Sequence, residues 1–568
     1  MLNKARVAFS RGMNMANLMD QAARVYGERT AIILDYRLDY GVFSGDTLSY
    51  RDIAALSSRM AGALVRLGVR RGDRVVIVTS NGVDLPILVG AAMKMGAIPV
   101  PLNFMLRGGE IAYVVENCGA RTLVTDPEIL RVNIREKDRV PGVERWVMAG
   151  PAKEVPEGFY SLDEAMQSAP ARFEPVPMGS EDTAGIFYTS GTTGFPKGAV
   201  MTSRGLLTGQ KLAAMLLPLG PSDLGIHCLP LAHLFGYCIC IMGMITGMRA
   251  YFLRHFDPVR VLQIMQEKRV TVFVGVPVMY KALFAAGMDH YDLSSVRFWA
   301  SSADAMPPEY IERVRQIGSA WKLGPFRTGP VFAEAYGMVE LSAIATLKIY
   351  LPGIKWPQGC VGFPIYPIRA RVVDEEGKRL PPGQVGELLV SGPGVMKEYW
   401  NNPEETAAVK NGGWLRTGDM AYKDRWGRVF FVDRKKDVIK CGGYSVFSVE
   451  VEREILNHPA VREAAVVGVP HPRKGQAPVA VVSLREGEEV GEEELLKWCR
   501  ENIAAYKCPR RVHIVPLEEM PFGATLKVLK RELRKRFLED FRDEEELLEE
   551  LAPGQSGPGR IESPRGVI

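Results

Sequence analysis

The sequence predicts an α/β protein, a large N-terminal domain of layered, mostly parallel sheets with helices, followed by a small α+β C-terminal domain. Three observations lead there. A chain of 568 residues exceeds what one hydrophobic core usually organises, so at least two domains are expected. Between Thr47 and Thr125 amphipathic helices alternate with strands that are apolar on both faces, the pattern of a parallel sheet covered by helices. Later a β-prone run, Ala184 to Tyr188, delivers the chain into eleven residues dominated by Gly, Ser and Thr, with a helix-compatible segment from Ser203 to Leu216 behind them.

In order, Leu48-Ser-Tyr-Arg-Asp-Ile53 leads into a helix with apolar residues at 53, 56, 60, 64 and 67, ended by Gly68-Val-Arg-Arg-Gly-Asp73. Arg74 to Thr79 reads as a buried strand, Leu85 to Met95 as a helix, Ala97 to Val100 as a strand, and a helix from Gly108 precedes a strand at Thr122 to Thr125. Val270 to Pro277 and Val296 to Ala300 read as further buried strands, the second running into Ser301-Ser-Ala-Asp-Ala-Met-Pro307 before a helix near Pro308. Gly386 to Gly394 is a strand and turn. Beyond Val429 to Val432 the pattern becomes helix (Ser448 to Asn457), two strands (Ala464 to Val469, Val479 to Leu484), helix (Glu492 to Ile503) and strand (Arg511 to Val515). From Asp540 the chain is acidic and then rich in Gly, Pro and Ser, so a frayed helix and a disordered tail over 541–568 are expected.

The composition, 47% hydrophobic and 24% charged, is that of a globular protein. A net charge of +5 is slight for this length and gives no support to nucleic-acid binding. The eight cysteines are scattered, mostly inside apolar runs, with no C-x-x-C pair, and read as buried thiols rather than a zinc site. The N-terminus has charges but no apolar core of secretory length, and the longest apolar run, Tyr237 to Met248, is far short of a transmembrane helix. A cytoplasmic protein without a transmembrane segment is the expectation.

The stretch Tyr188-Thr-Ser-Gly-Thr-Thr-Gly-Phe-Pro-Lys-Gly198 is built for a polyphosphate. Glycines at 191, 194 and 198 can take positive φ and let the main chain approach a bulky anion; the hydroxyls of Thr189, Ser190, Thr192 and Thr193 donate; Lys197 adds a mobile positive charge. A Walker P-loop needs Gly-x-x-x-x-Gly-Lys-Ser/Thr, whereas Lys197 is followed by Gly198, so a P-loop kinase or GTPase is disfavoured.

Thr189 to Gly198 resembles the phosphate-binding signature of the adenylate-forming superfamily, and the resemblance, strongest to the acyl-CoA synthetase and fatty-acid–CoA ligase family, continues through several motifs in the same order. Glu334-Ala-Tyr-Gly-Met-Val-Glu340 is similar to the family's Tyr-Gly-Met-Thr-Glu, with Val339 in place of the threonine; Trp414-Leu-Arg-Thr-Gly-Asp419, Asp433-Arg-Lys-Lys-Asp437 and Met520-Pro-Phe-Gly-Ala-Thr-Leu-Lys527 follow, the last with Leu526 where the family has glycine. The resemblance implies catalytic roles for Lys527, Lys197 and His233, the histidine of Leu229-Pro-Leu-Ala-His233 that would line the acyl or aryl pocket. It implies nucleotide or coenzyme contacts at Thr189, Ser190, Gly191, Thr192, Thr193, Gly194, Lys197, Ser302, Ala303, Tyr336, Gly337, Asp419 and Arg434, a hinge at Lys436, and a pantetheine path at Lys440, Gly442 and Gly443. Thr189 and Glu340 would hold magnesium.

The activity so implied is ATP-dependent: a carboxylic acid, medium- or long-chain fatty acid by the overall wording, becomes acyl-AMP and then a thioester of coenzyme A. ATP, Mg²⁺ and coenzyme A are the expected cofactors and substrates. The domains implied are 1–433 for adenylation, a hinge at 434–436, and a mobile lid over 437–540. An aryl-CoA ligase, an acyl-AMP ligase without thioester transfer, and a non-catalytic nucleotide or acyl-CoA binding protein are the alternatives. Peripheral membrane contact for fatty-acid uptake and a homodimer stay open.

Overall fold

The computed structural model describes residues 2–135, 140–151, 155–189, 196–320, 322–323, 326–342, 344–351, 354–523, 527–538 and 540. The chain separates into two compact units, Met1–Thr417 with Ala421–Phe431, and Gly418–Met420 with everything from Val432 onward.

The first unit begins as the alternation implies. Tyr50–Arg66 is a helix started by a capping box, the Ser49 hydroxyl accepting from the Asp52 N–H while the Asp52 carboxylate accepts from the Ser49 N–H. Arg74–Val78, Ile98–Pro101, Thr122–Thr125, Arg145–Met148 and Tyr160–Ser161 form a five-stranded sheet, parallel throughout. Val75 to Val78 are buried on both faces, which is why this stretch is apolar without alternation.

A second, larger sheet carries Ser302 and Tyr336. Thr30–Tyr40, Arg249–Phe252, Leu224–His227, Val272–Gly275, Phe298–Ser302 and Val331–Tyr336 are parallel neighbours in that order. Past Val331–Tyr336 the sheet turns antiparallel through Thr346–Tyr350 and Cys360–Pro364. The antiparallel flank, and the strand Phe43–Ser49 at the other edge, have no signal in the mainly apolar runs that announce the parallel strands.

The phosphate-loop stretch is corrected at its far end. Lys197–Thr202 is a strand, antiparallel to Thr183–Thr189, so the arrangement is strand, loop, strand, helix. Gly198 does not adopt positive φ; a Cβ there would lie 2.7 Å from Ile186 Cγ2 and 2.9 Å from the Tyr188 ring, so glycine is required by close approach of two strands. Ser190, Gly191, Thr192, Thr193 and Gly194 lie outside the described residues.

The second unit is built on the hairpin Val461–His471 and Gly475–Leu484, with Arg511–Ile514 parallel to its second strand and the small hairpin Ile439–Cys441 and Tyr444–Val446 beside it. Helices Ser448–Ile455 and Glu492–Asn502 share one apolar cluster with Ile439, Val466 and Val482; Lys530–Arg536 contributes Leu533 to the other, with Val467 and Val481. All eight cysteines are free, seven of them buried. Among the described residues no helix is long and apolar enough to cross a membrane.

Candidate functional site

The strand hairpin brings Thr189 and Lys197 opposite each other, at the two ends of the phosphate loop. The segment 396–400 lies along the outer strand: the Lys397 N–H donates to the Val200 carbonyl at 2.8 Å, the Val200 N–H to Glu398 at 2.9 Å, and the Trp400 N–H to Gly198 at 2.7 Å. That pairing sets Tyr399 beneath Lys197, whose ammonium stands 5.5 Å from the ring centroid and 2.8 Å from a Glu405 carboxylate oxygen. The Tyr399 hydroxyl donates to Glu340 at 2.8 Å. Lys197 and Glu340 are thus joined through Tyr399, to which the sequence motifs assign no role.

Glu340 sits in the short turn Val339–Leu341 and is 7% exposed. A buried carboxylate with one hydrogen-bond donor already committed to it is fit to hold a hard divalent cation whose other ligands are phosphate oxygens and water. Thr189 is at the end of its strand, its hydroxyl donating to the Lys197 carbonyl at 3.5 Å. Val339 packs against the main core.

Tyr336 and Gly337 leave the Val331–Tyr336 strand beside the loop that follows Phe298–Ser302. Ser302 pairs with Ala335 and donates its hydroxyl to the Ala335 carbonyl at 2.8 Å; Ala303 turns the chain with φ 74°, left-handed and uncommon for any residue but glycine. Glu334 fixes this junction: it accepts from the Met306 N–H at 3.3 Å and the Tyr350 hydroxyl at 2.8 Å, and pairs with Lys348 at 2.6 Å. Sequence gave no sign of it, because Lys348 lies on the antiparallel strand.

His233 is at the N-terminus of the helix Leu234–Thr246. Its Nε2 is 3.0 Å from Asn103 Nδ2, and the Asn103 carbonyl oxygen accepts from the Met105 N–H at 2.9 Å, which orients the amide so that its NH₂ donates and His233 Nε2 accepts. Burial pushes the His233 pKa down, so the ring is neutral. Asn103 lies two residues past the strand Ile98–Pro101.

The same helix roofs an apolar cavity of about 60 Å³ against strands Leu224–His227, Arg249–Phe252 and Val272–Gly275. Tyr237, Ile239, Cys240, Gly243 and Met244 face it from the helix, and His227 and Phe252 from the sheet. His227 stacks on Phe252 at 4.8 Å, its Nε2 donates to the Gly236 carbonyl at 3.2 Å, and burial lowers its pKa to about 4. The apolar run after His233 is both core helix and cavity wall.

In the second unit Asp419, 1% exposed, pairs through Oδ1 with Arg434 Nε at 3.0 Å. Asp419 is part of the strand Trp414–Lys423, and Arg434 ends the strand Val429–Arg434. Lys436 is in the turn Lys435–Asp437, exposed. Gly442 and Gly443 make the tight turn after Ile439–Cys441 with φ 56° and 84°, and a Cβ on Gly443 would meet nothing within 4 Å. Lys440 is exposed and donates to the Ser445 hydroxyl at 2.9 Å. The Lys527 carbonyl accepts from the Gly523 N–H at 2.8 Å, and Phe522 bridges to Val528, closing a small loop whose tip, including Leu526, lies outside the described residues.

Residues 19–400 match the family of AMP-binding enzymes, and residues 450–523 its C-terminal domain. A feruloyl-CoA synthase from Amycolatopsis sp is 34% identical over 495 residues, 87% of this chain and 94% of that protein. A long-chain-fatty-acid–CoA ligase from Bacillus subtilis (strain 168) is 30% identical over 546 residues, covering 91% of this chain and 93% of the relative. The crystal structure of ATP-bound MatB from Rhodopseudomonas palustris superposes with a TM-score of 0.81 at 30% identity, over 93% of this chain and 100% of that one. The chain therefore belongs to the AMP-binding enzymes of the adenylate-forming superfamily, as an AMP-forming acid–thiol ligase that uses ATP with Mg²⁺ and takes coenzyme A as substrate.

Proposed function

We propose that the protein activates an apolar monocarboxylic acid, a medium- or long-chain fatty acid, as its acyl-adenylate and passes the acyl group to coenzyme A. The observation that carries this reading is the apolar cavity along the helix that starts at His233, whose wall is almost free of polar groups. A second reading, an aryl acid, is favoured by the stacked His227 and Phe252 in that wall and by the 34% identity to a protein named feruloyl-CoA synthase.

In the proposed chemistry a carboxylate oxygen attacks the α-phosphorus of ATP, pyrophosphate leaves, and the thiol sulfur of coenzyme A then attacks the acyl carbon with AMP as leaving group. Such transfers are governed by positioning and charge neutralisation. Glu340 and Thr189 would hold Mg²⁺, which when bound neutralises phosphate charge. Ser190, Gly191, Thr192, Thr193 and Gly194 would wrap the phosphates, with Lys197 on the departing pyrophosphate. Tyr336 would stack on adenine, with Ser302, Ala303 and Gly337 against its edge, and the Asp419 carboxylate with Arg434 would take the ribose hydroxyls. Lys527 would offset charge between carboxylate and α-phosphate, and neutral His233, steadied by Asn103, would border the acyl carboxylate. Rotation of the 437–540 lid about residues 434–436 would withdraw Lys527 and present Lys440, Gly442 and Gly443 to pantetheine.

Pyrophosphate release with ATP and Mg²⁺ over acids from acetate to palmitate, plus benzoate, coumarate and ferulate, with and without coenzyme A, tests this. Highest kcat/KM on a fatty acid with thioester formed supports the reading. Highest kcat/KM on ferulate or coumarate replaces it with the aryl one.

A further inference from the structure

The second unit encloses, at 17% exposure, a lysine that none of the roles above uses. Lys530 opens the helix Lys530–Arg536, three residues after Lys527, and its ammonium lies 2.6 Å from a Glu452 carboxylate oxygen and donates to the Ser448 hydroxyl at 2.6 Å. Ser448 in turn donates to the carboxylate of Asp433, at 2.9 Å to Oδ2 and 3.1 Å to Oδ1. Asp433 is fully buried and accepts the Arg434 N–H at 2.7 Å, while Glu452 also accepts the Val466 N–H at 2.7 Å. Every link in this chain belongs to the second unit. It starts three residues from Lys527 and ends at the residue that holds Asp419.

Such a network is more than a way of filling a core. Burial works against the charge on Lys530, and Glu452 and Asp433 together overcome it, so that the ammonium titrates above its ordinary value and is charged throughout the physiological range. A buried ion pair with an apolar alternative is weak evidence for stability, and its best-attested use is to select one arrangement among several. The arrangement selected here is the distance between the Lys527 loop and the end of the strand Val429–Arg434. The loop is closed by Gly523 N–H to the Lys527 carbonyl at 2.8 Å, Leu529 N–H to the Pro521 carbonyl at 2.7 Å and the bridge between Phe522 and Val528.

We propose that Lys530 is a positioning residue for acyl-adenylate formation: bonded to Glu452 and, through Ser448, to Asp433, it fixes the Lys527 segment against the strand end that carries Arg434. The proposal rests on the reading of Lys527 as the residue that acts on the α-phosphate. It assigns Lys530 to the first half-reaction alone, since the second proceeds with Lys527 withdrawn.

The test separates the half-reactions, using the panel acid that wild-type enzyme activates fastest. Adenylation is read as acid-dependent ATP–pyrophosphate exchange, and thioester formation from the matching chemically prepared acyl-adenylate with coenzyme A. Lys530→Met is expected to lower exchange on the order of 100-fold, the cost of a misplaced catalytic group, while thioester formation stays within about threefold. Lys530→Arg, which keeps the charge and the donors, is expected to restore most of the exchange. Glu452→Gln, a milder change, is expected to show the same split at about tenfold, as loss of one charge-assisted bond gives. Equal loss in both half-reactions by Lys530→Met and Glu452→Gln, or exchange unchanged in both while Lys527→Ala abolishes it, overturns the proposal and leaves the reading of Lys527 standing. Exchange that survives Lys527→Ala overturns that reading, and the role of Lys530 with it.

Discussion

Gly243 offers a direct way to ask whether the cavity under the Leu234–Thr246 helix is the acyl site. It faces the cavity, its φ is not left-handed, and a Cβ added to it would meet nothing within 4 Å. Gly243→Leu therefore projects four carbons into space that the proposed substrate would occupy. Each methylene displaced is worth about 0.8 kcal/mol, so an acid long enough to reach this depth loses about 3 kcal/mol of binding. That corresponds to a fall in kcat/KM on the order of 100-fold. Acids too short to reach Gly243 are unaffected, so the variant changes the shape of the chain-length profile rather than its height. Replacing a helical glycine also raises helix propensity by up to about 1 kcal/mol, so the variant is expected to unfold no earlier than wild type. The assay is kcat/KM for thioester formation along the even-numbered acids from acetate to palmitate, with Gly243→Ala as the control that leaves the cavity nearly full size. A correctly folded Gly243→Leu enzyme with the wild-type chain-length profile refutes the assignment of this cavity.

Three further outcomes are expected. Tyr399→Phe removes the donor to Glu340 and leaves the ring under Lys197; outer-shell partners of metal ligands commonly matter by 10–100-fold, so the Mg²⁺ concentration for half-maximal activity should rise by about that factor, and an unchanged Mg²⁺ titration would count against Glu340 as ligand. His227 is buried and neutral with its pKa lowered to about 4 from 6.5, so the unfolded chain takes up the proton first; stability is complete above pH 6.5 and drains as pH falls toward 4, by up to about 3 kcal/mol. Urea unfolding of wild type and His227→Leu at pH 7 and pH 4.5 should show the larger loss in wild type, and parallel losses would mean that His227 is not held neutral. Lys527→Ala should lose acyl-adenylate formation by roughly 10²–10³-fold, the usual cost of removing one charge-stabilising donor, yet still convert supplied acyl-adenylate and coenzyme A to thioester; equal loss in both steps would contradict its assignment to the first.

How far the sequence could be read follows from the range of the interactions concerned. Val75 to Val78 and Val272 to Gly275 are legible as strands because burial on both faces writes a continuous apolar run into the chain itself. Thr189, Lys197 and Glu340 stand out as candidates because each sits in a local motif whose residue types suit a phosphate or its metal ion. Tyr399 is not, since its position under Lys197 depends on 396–400 pairing with the strand Lys197–Thr202, and that strand was itself hidden behind Gly198 and Pro196. Asn103 and His233 meet across 130 residues of sequence, and Glu334 meets Lys348 only because the sheet turns antiparallel at that point. Lys530 is a surface-like residue in a charged run, Lys-Arg-Glu, and nothing short of the packed second unit reveals Glu452 and Ser448 around it. Gly198 was legible as indispensable but for the wrong reason, steric approach rather than φ.

The most direct measurement is of coenzyme A thioester formed by the purified enzyme with ATP and Mg²⁺ when decanoate, palmitate, coumarate and ferulate compete in one reaction. The apolar cavity predicts that fatty acyl-CoA dominates the products and that Gly243→Leu shifts them toward shorter chains or aryl acids. Products dominated by feruloyl- or coumaroyl-CoA in wild type would contradict the fatty-acid assignment.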